Sequence, residues 1–107
     1  MTNTLKKKIQ EQFGVGIIIN NPSNVYSFLF RVKFNPYLHA LFEVEKVPEV
    51  ECILLTHSGY FTSDEGVGTV GVVRYTINTE RELLDKIKEV LEEYNKLSDL
   101  LNSLYKE

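Results

Sequence analysis

Cysteine occurs once in this chain, at Cys52. No disulfide can close within the chain, and a small domain without such staples suits a reducing compartment. Long apolar runs are missing too. The longest, Val15 to Ile19, is broken by Gly16 and falls far short of the ~20 residues of a membrane helix. Lys6, Lys7 and Lys8 precede a polar mixture rather than the apolar core of a secretory signal. These absences lead us to expect a soluble, cytoplasmic chain with no membrane partner. Paired metal ligands are also lacking. His39, Cys52 and His57 are the soft candidates, but no CxxC or HxxxH unit sets two of them on one element, so neither a metal nor a cofactor is expected.

A broad basic surface is absent as well. Residues 1–34 carry five Lys/Arg against Glu11 alone, whereas the rest carries seven bases and fourteen acids. That distribution argues against a nucleic-acid partner, whose phosphates need an extended positive surface; a local anion contact fits it better. What the chain does have is the content of one globular domain, 1–107. Its 43% apolar and 25% charged residues sit at globular averages, and 107 residues bury enough surface for an independent core.

Hydrophobic periodicity gives the elements. Leu5, Ile9 and Phe13 stand four apart, and Gly14 follows where a helix stops. Val15–Asn20 reads as a strand and Asn20–Asn24 as a turn. Tyr26, Phe28, Phe30, Val32 and Phe34 alternate with Ser27, Leu29, Arg31 and Lys33 as a strand whose aromatic side faces the core. Residues 36–46 admit two readings. Asn35-Pro36 resembles an N-cap with proline at the first helical position, and Leu38, Leu41 and Phe42 share a helical face; yet Leu38, Ala40, Phe42 and Val44 also alternate. Val50–His57 and Val67–Ile77 are further strands, joined by a polar, glycine-bounded loop from Ser58 to Gly66.

The C-terminal element is the plainest. Thr79-Glu-Arg-Glu82 has the capping-box spacing, and Leu83, Ile87, Val90, Tyr94, Leu97, Leu101 and Leu104 recur at intervals of four and three. As one helix this segment extends roughly 39 Å, longer than the sheet it packs on. The choice is between a break near Asn95 or Ser98 that folds the end back on the first helix, whose Leu5, Ile9 and Phe13 also need a partner, and a seam through Leu97, Leu101 and Leu104 that a second copy covers. The expected fold is α+β: an antiparallel sheet of four to five strands, with a short N-terminal and a long C-terminal helix on one face.

Three motifs invite chemistry. Gly66-Val-Gly68-Thr-Val-Gly71 has the letters of a dinucleotide fingerprint but precedes a strand, so the glycines are expected to bend or bulge it. Tyr26-Ser-Phe-Leu-Phe30 lacks the spacing of an RNA-stacking strand. The stretch from His57 to Glu65 gathers hydroxyls, a histidine and two carboxylates, so an enzyme would use His57, Asp64 and Glu65 there. A hairpin tip has the same composition.

With 36–46 helical, residues 25 to 94 give β-α-β-β-α. Ser27-Phe-Leu-Phe-Arg-Val-Lys33, Val47-Pro-Glu-Val50, Thr56-His-Ser-Gly-Tyr60 and Glu80-Arg-Glu-Leu83 then resemble the small-molecule-sensing (RAM-type) domain of Lrp/AsnC regulators, without their helix-turn-helix. The resemblance implies a ferredoxin-like dimer that binds a small ligand or a partner. From the residues themselves we expect a non-catalytic interaction or regulatory module, homodimeric, binding a protein or small ligand. Its contacts would be Leu29, Arg31, Lys33 and Arg74 on the sheet, with Val70 and Val72 beside Arg74, and Leu97, Leu101 and Leu104 on the helix. The alternatives are a small enzyme with its site at 57–65 and a nucleic-acid-associated accessory protein.

Overall fold

The alternation of Phe28, Phe30, Val32 and Phe34 becomes a strand that turns these four side chains toward the core. The computed structural model describes residues 2–15, 18–20, 26–46, 48–63 and 66–105. The elements are α1 (Thr2–Phe13), β1 (Ile18–Asn20), β2 (Ser27–Asn35), β3 (Leu38–Lys46), β4 (Ile53–Ser63), β5 (Gly66–Ile77) and α2 (Glu80–Tyr105). The strands form one antiparallel sheet in the order β1-β2-β3-β4-β5. The fold is α+β as expected. Leu5 and Ile9 of α1 and Leu83, Ile87, Val90, Tyr94 and Leu101 of α2 close a single core over Phe28, Phe30, Leu38, Phe42, Val44, Ile53 and Leu55.

Residues 36–46 correct the helical reading. Asn35 Oδ1 accepts the N–H groups of Tyr37 (2.7 Å) and Leu38 (2.9 Å), the bonds an N-cap would make, but here they close the turn of a hairpin. The burial of the next residues decides between the two: Leu38, Ala40, Phe42 and Val44 are buried in strict alternation, and Phe42 stacks on Phe30 across the strands at 4.8 Å. The helix that a β-α-β-β-α order requires between the first two strands is therefore a strand, and no ferredoxin-like crossover occurs among the described residues. Two smaller expectations also change. Tyr26 is 46% exposed rather than inward. Residues Ser58–Ser63, expected in a loop, continue β4, because Gly59 and Phe61 prolong its core face while Ser58, Tyr60 and Thr62 take the other. The turn at 21–24 lies outside the described residues.

Caps set the helix ends. Gly14, at φ 65°, ends α1, and its N–H reaches Gln10 O at 2.9 Å. Thr79 Oγ1 accepts from Glu82 N at 3.1 Å, and Glu82 Oε2 accepts from Asn78 N at 3.3 Å, one residue before the usual capping-box position. α2 then runs unbroken for 26 residues, stretching the molecule to 51 × 26 × 22 Å. It does not fold back on α1. Asn35 Nδ2 donates to Ser98 Oγ at 2.7 Å, tying the distal half of α2 to the β2–β3 turn.

Candidate interaction surfaces

With both helices on one face, no described residue forms a covering layer on the other face of the sheet. Across it run three registered rows: Leu29, Glu43, Thr56 and Arg74; Arg31, Leu41, Ser58 and Val72; Lys33, His39, Tyr60 and Thr69. Arg31, Lys33 and Arg74 are exposed and Leu29 is half-buried, so the four expected sheet contacts share this face. Arg74 Nε donates to Thr56 Oγ1 at 3.2 Å. A shallow depression of about 320 Å³ opens between Arg31, His39, Leu41, Tyr60, Thr62 and Val67. It combines apolar flanks with cationic or ionisable groups at one end.

Val70 is not on this face, although regular alternation from Arg74 would place it there. Ser58 pairs with Val72 but Gly59 pairs with Val70, so Gly71 is an extra residue in a β-bulge. The bulge inverts the alternation. Val72 stays beside Arg74, while Val70 turns to the helix side. There it lines a groove of about 210 Å³ with His57, Gly71, Val73, Glu93, Tyr94 and Leu97.

Tyr94, which lines that groove, sits over a glycine of β4. A Cβ on Gly59 would stand 3.0 Å from Tyr94 Cε1 and 3.1 Å from Val70 Cβ, so glycine lets the tyrosine ring lie this close to β4 and a larger residue would have to push it back. Tyr94 stacks on Phe34 at 5.2 Å and brings its hydroxyl to 3.0 Å from His57 Nδ1. His57 is 7% exposed, stacked on Tyr75 at 5.7 Å, and its Nε2 has no hydrogen-bond partner among the described residues. Burial holds the His57 imidazole below its ordinary pKa, with the Glu93 carboxylate opposing. Burial also raises the Tyr94 phenol, reinforced by Tyr75 and Glu93. His57 is thus a neutral core residue. Asp64 and Glu65, its suggested catalytic companions, lie outside the described residues, and among those described no three His, Cys, Asp or Glu side chains gather to hold a metal.

The seam of α2 divides three ways. Leu101 is 8% exposed and belongs to the core, Leu97 is half-buried at the groove, and Leu104 is 66% exposed. Leu100, in the same final turns, is 58% exposed. β5 is the largest surprise: Val67, Val70, Val72 and Val73 are 71%, 40%, 74% and 41% exposed on an edge strand of 12 residues. A count of valines does not reveal an edge, because strand order is a long-range property. No helix is long and apolar enough to cross a membrane among the described residues. No family model, no curated protein and no solved structure matches the chain.

Proposed function

We propose that this chain is a non-catalytic interaction module that self-associates and binds an acidic protein segment on its uncovered sheet face. The observation that carries the reading is the composition of that face. Leu29, Leu41, Tyr60 and Val72 give it an apolar content interrupted by Glu43 and Ser58, with Arg31, Lys33 and His39 grouped toward one end and Arg74 on β5. A face meant only for water has no use for that apolar content, whereas interface centres combine aromatic and aliphatic side chains with arginine. The depression beside Arg31 and His39 is suited to one aliphatic or aromatic side chain flanked by carboxylates. Cytoplasmic residence belongs to the same reading, because the single thiol of Cys52 is free.

The test is an array of Asp/Glu-rich peptides, each with one central aromatic or leucine, presented to the full chain and to an Arg31→Glu/Lys33→Glu variant. Binding by the wild type and its loss in the variant supports the reading. Both side chains are exposed, so the variant's stability is expected within about 0.5 kcal/mol of wild type. Equal binding by the two proteins would exclude this face.

A further inference from the structure

An edge strand displays a row of main-chain N–H and C=O groups that another strand can use. Natural proteins shorten such edges, charge them, interrupt them with proline or cover them. β5 does little of this. It runs for 12 residues, contains no proline and has Arg74 as its one charged side chain. In the described sheet its neighbour is β4 on one side alone, and its valines are exposed on both faces.

The helix beside this edge is unfinished in the same direction. At 100° per residue, Leu97, Leu100 and Leu104 fall within about 60° of one another. Leu97 and Glu93 line the groove with Val70 and Val73, so this side of α2 overlooks β5. Leu100 and Leu104 extend the apolar strip beyond the groove at 58% and 66% exposure. A free edge and an exposed leucine strip thus border one groove.

The geometry points to a second copy of this chain as the occupant, its β5 pairing antiparallel with this β5 about a two-fold axis to make a continuous ten-stranded sheet. This rests on the self-association proposed above and assigns the surface that performs it. The register that matches the strand end to end, Gly66 to Ile77, places the axis between Gly71 and Val72. Because the bulge at Gly71 inverts the alternation midway, opposed residues then share a face. On the helix side Val70 meets Val73 and Gly68 meets Tyr75; on the other side Thr69 meets Arg74 and Val67 meets Thr76.

Each pairing is complementary. Four half-exposed valines cover one another beneath the Leu97 side chains. The Tyr75 ring gains the space that Gly68 leaves open, and the two Arg74 charges each face a threonine rather than each other. The edge is about 40 Å long and roughly 10 Å deep, so it buries on the order of 400 Å² per copy, about half of a standard interface. The Leu97, Leu100 and Leu104 strip, on the same side of the molecule, is positioned to supply the remainder.

The register gives a test with opposite signs. Thr69 is exposed and stands on the same face as Arg74, five residues along the strand. With the bulge between them they face Tyr60 and Thr56 of β4, roughly 13 Å apart within one chain, beyond a Debye length at physiological salt. Across the proposed axis the two are neighbours. Sedimentation of the full chain and its variants at low salt is expected to show a wild-type dimer, tightened by Thr69→Glu and weakened by Thr69→Arg. With two pairs per dimer the expected change is about twofold to thirtyfold in dissociation constant.

Hydrogen exchange on the wild type is the second measurement, expected to show β5 amides whose protection rises with protein concentration. A wild-type monomer at high micromolar concentration would overturn self-association itself. A wild-type dimer indifferent to both substitutions, with β5 exchange independent of concentration, would overturn the edge pairing alone.

Discussion

The Tyr94 hydroxyl lies 3.0 Å from His57 Nδ1, and no protein group among those described answers Nε2 on the other side of the ring. A protonated imidazole needs acceptors at both nitrogens, so this pocket favours the neutral form. The unfolded histidine takes up its proton near 6.5 and the folded one at lower pH. The unfolded state therefore binds more protons in that window, and stability present above about pH 6.5 is lost as pH falls through the depressed folded value. The melting temperature is expected to drop between about pH 7.5 and pH 5, and His57→Phe to flatten that drop. Glu93→Gln, which removes the opposing carboxylate, is expected to steepen it. A His57→Phe profile parallel to wild type would contradict the assignment.

Gly59 and Tyr94 form the second test. A methyl group on Gly59 meets the tyrosine ring at 3.0 Å and Val70 at 3.1 Å, so Gly59→Ala is expected to cost about 1–3 kcal/mol by overpacking. Combining it with Tyr94→Leu, which vacates the ring, is expected to cost less than the two single changes added together. Strict additivity in denaturant titrations would show that the clash is relieved elsewhere.

A third prediction concerns Asn35, which is 8% exposed and bonded on both ends of its amide. Asn35→Ala removes the acceptor for Tyr37 and Leu38 and the donor to Ser98 together. The expected loss is about 2–4 kcal/mol, the sum of two or three hydrogen bonds with buried partners left behind. Asn35→Asp keeps the turn acceptor but loses the donor to Ser98, and is expected to fall between the two in thermal melts.

The C-terminal leucines separate core from surface. Leu101→Ala is expected to cost about 2–4 kcal/mol as a buried truncation. Leu104→Ala, at 66% exposure, should cost under about 0.5 kcal/mol in the folded protomer while weakening self-association. If the two variants melt alike at low micromolar concentration, the division of the seam is wrong.

These tests mark where the sequence was legible. The Phe28 to Phe34 alternation and the Thr79 to Leu104 periodicity are local signals, and both elements formed as read. Asn35-Pro36 was not decidable locally, because an N-cap and an Asx turn use the same side-chain oxygen on the same N–H groups; pairing with β2 and β4 settled it. His57 stood out as a polar residue in an apolar strand, yet only the sheet register and Gly59 bring it under Tyr94. The bulge that turned Val70 around was hinted at by the glycines of 66–71, but its position depends on which residue of β4 each one faces. Seam residues Leu97, Leu101 and Leu104 were read as one surface. A helix of 26 residues that outruns its sheet gives each of them a different neighbour, so their exposures diverge.

The order of elements along the chain has a consequence during synthesis. All five strands precede α2, and neighbouring strands pair in chain order, so the sheet can assemble hairpin by hairpin as the chain emerges. Phe42, Leu55 and His57 wait for Tyr94 and its companions in a 26-residue helix. At about 5–20 residues per second that helix takes on the order of 1–5 s to appear. For that interval a nascent chain carries a paired sheet whose inner side is roofed by α1 alone. Ribosome-bound chains stalled before residue 80 should therefore be sticky to holdase chaperones in a way that chains stalled with α2 fully extruded are not.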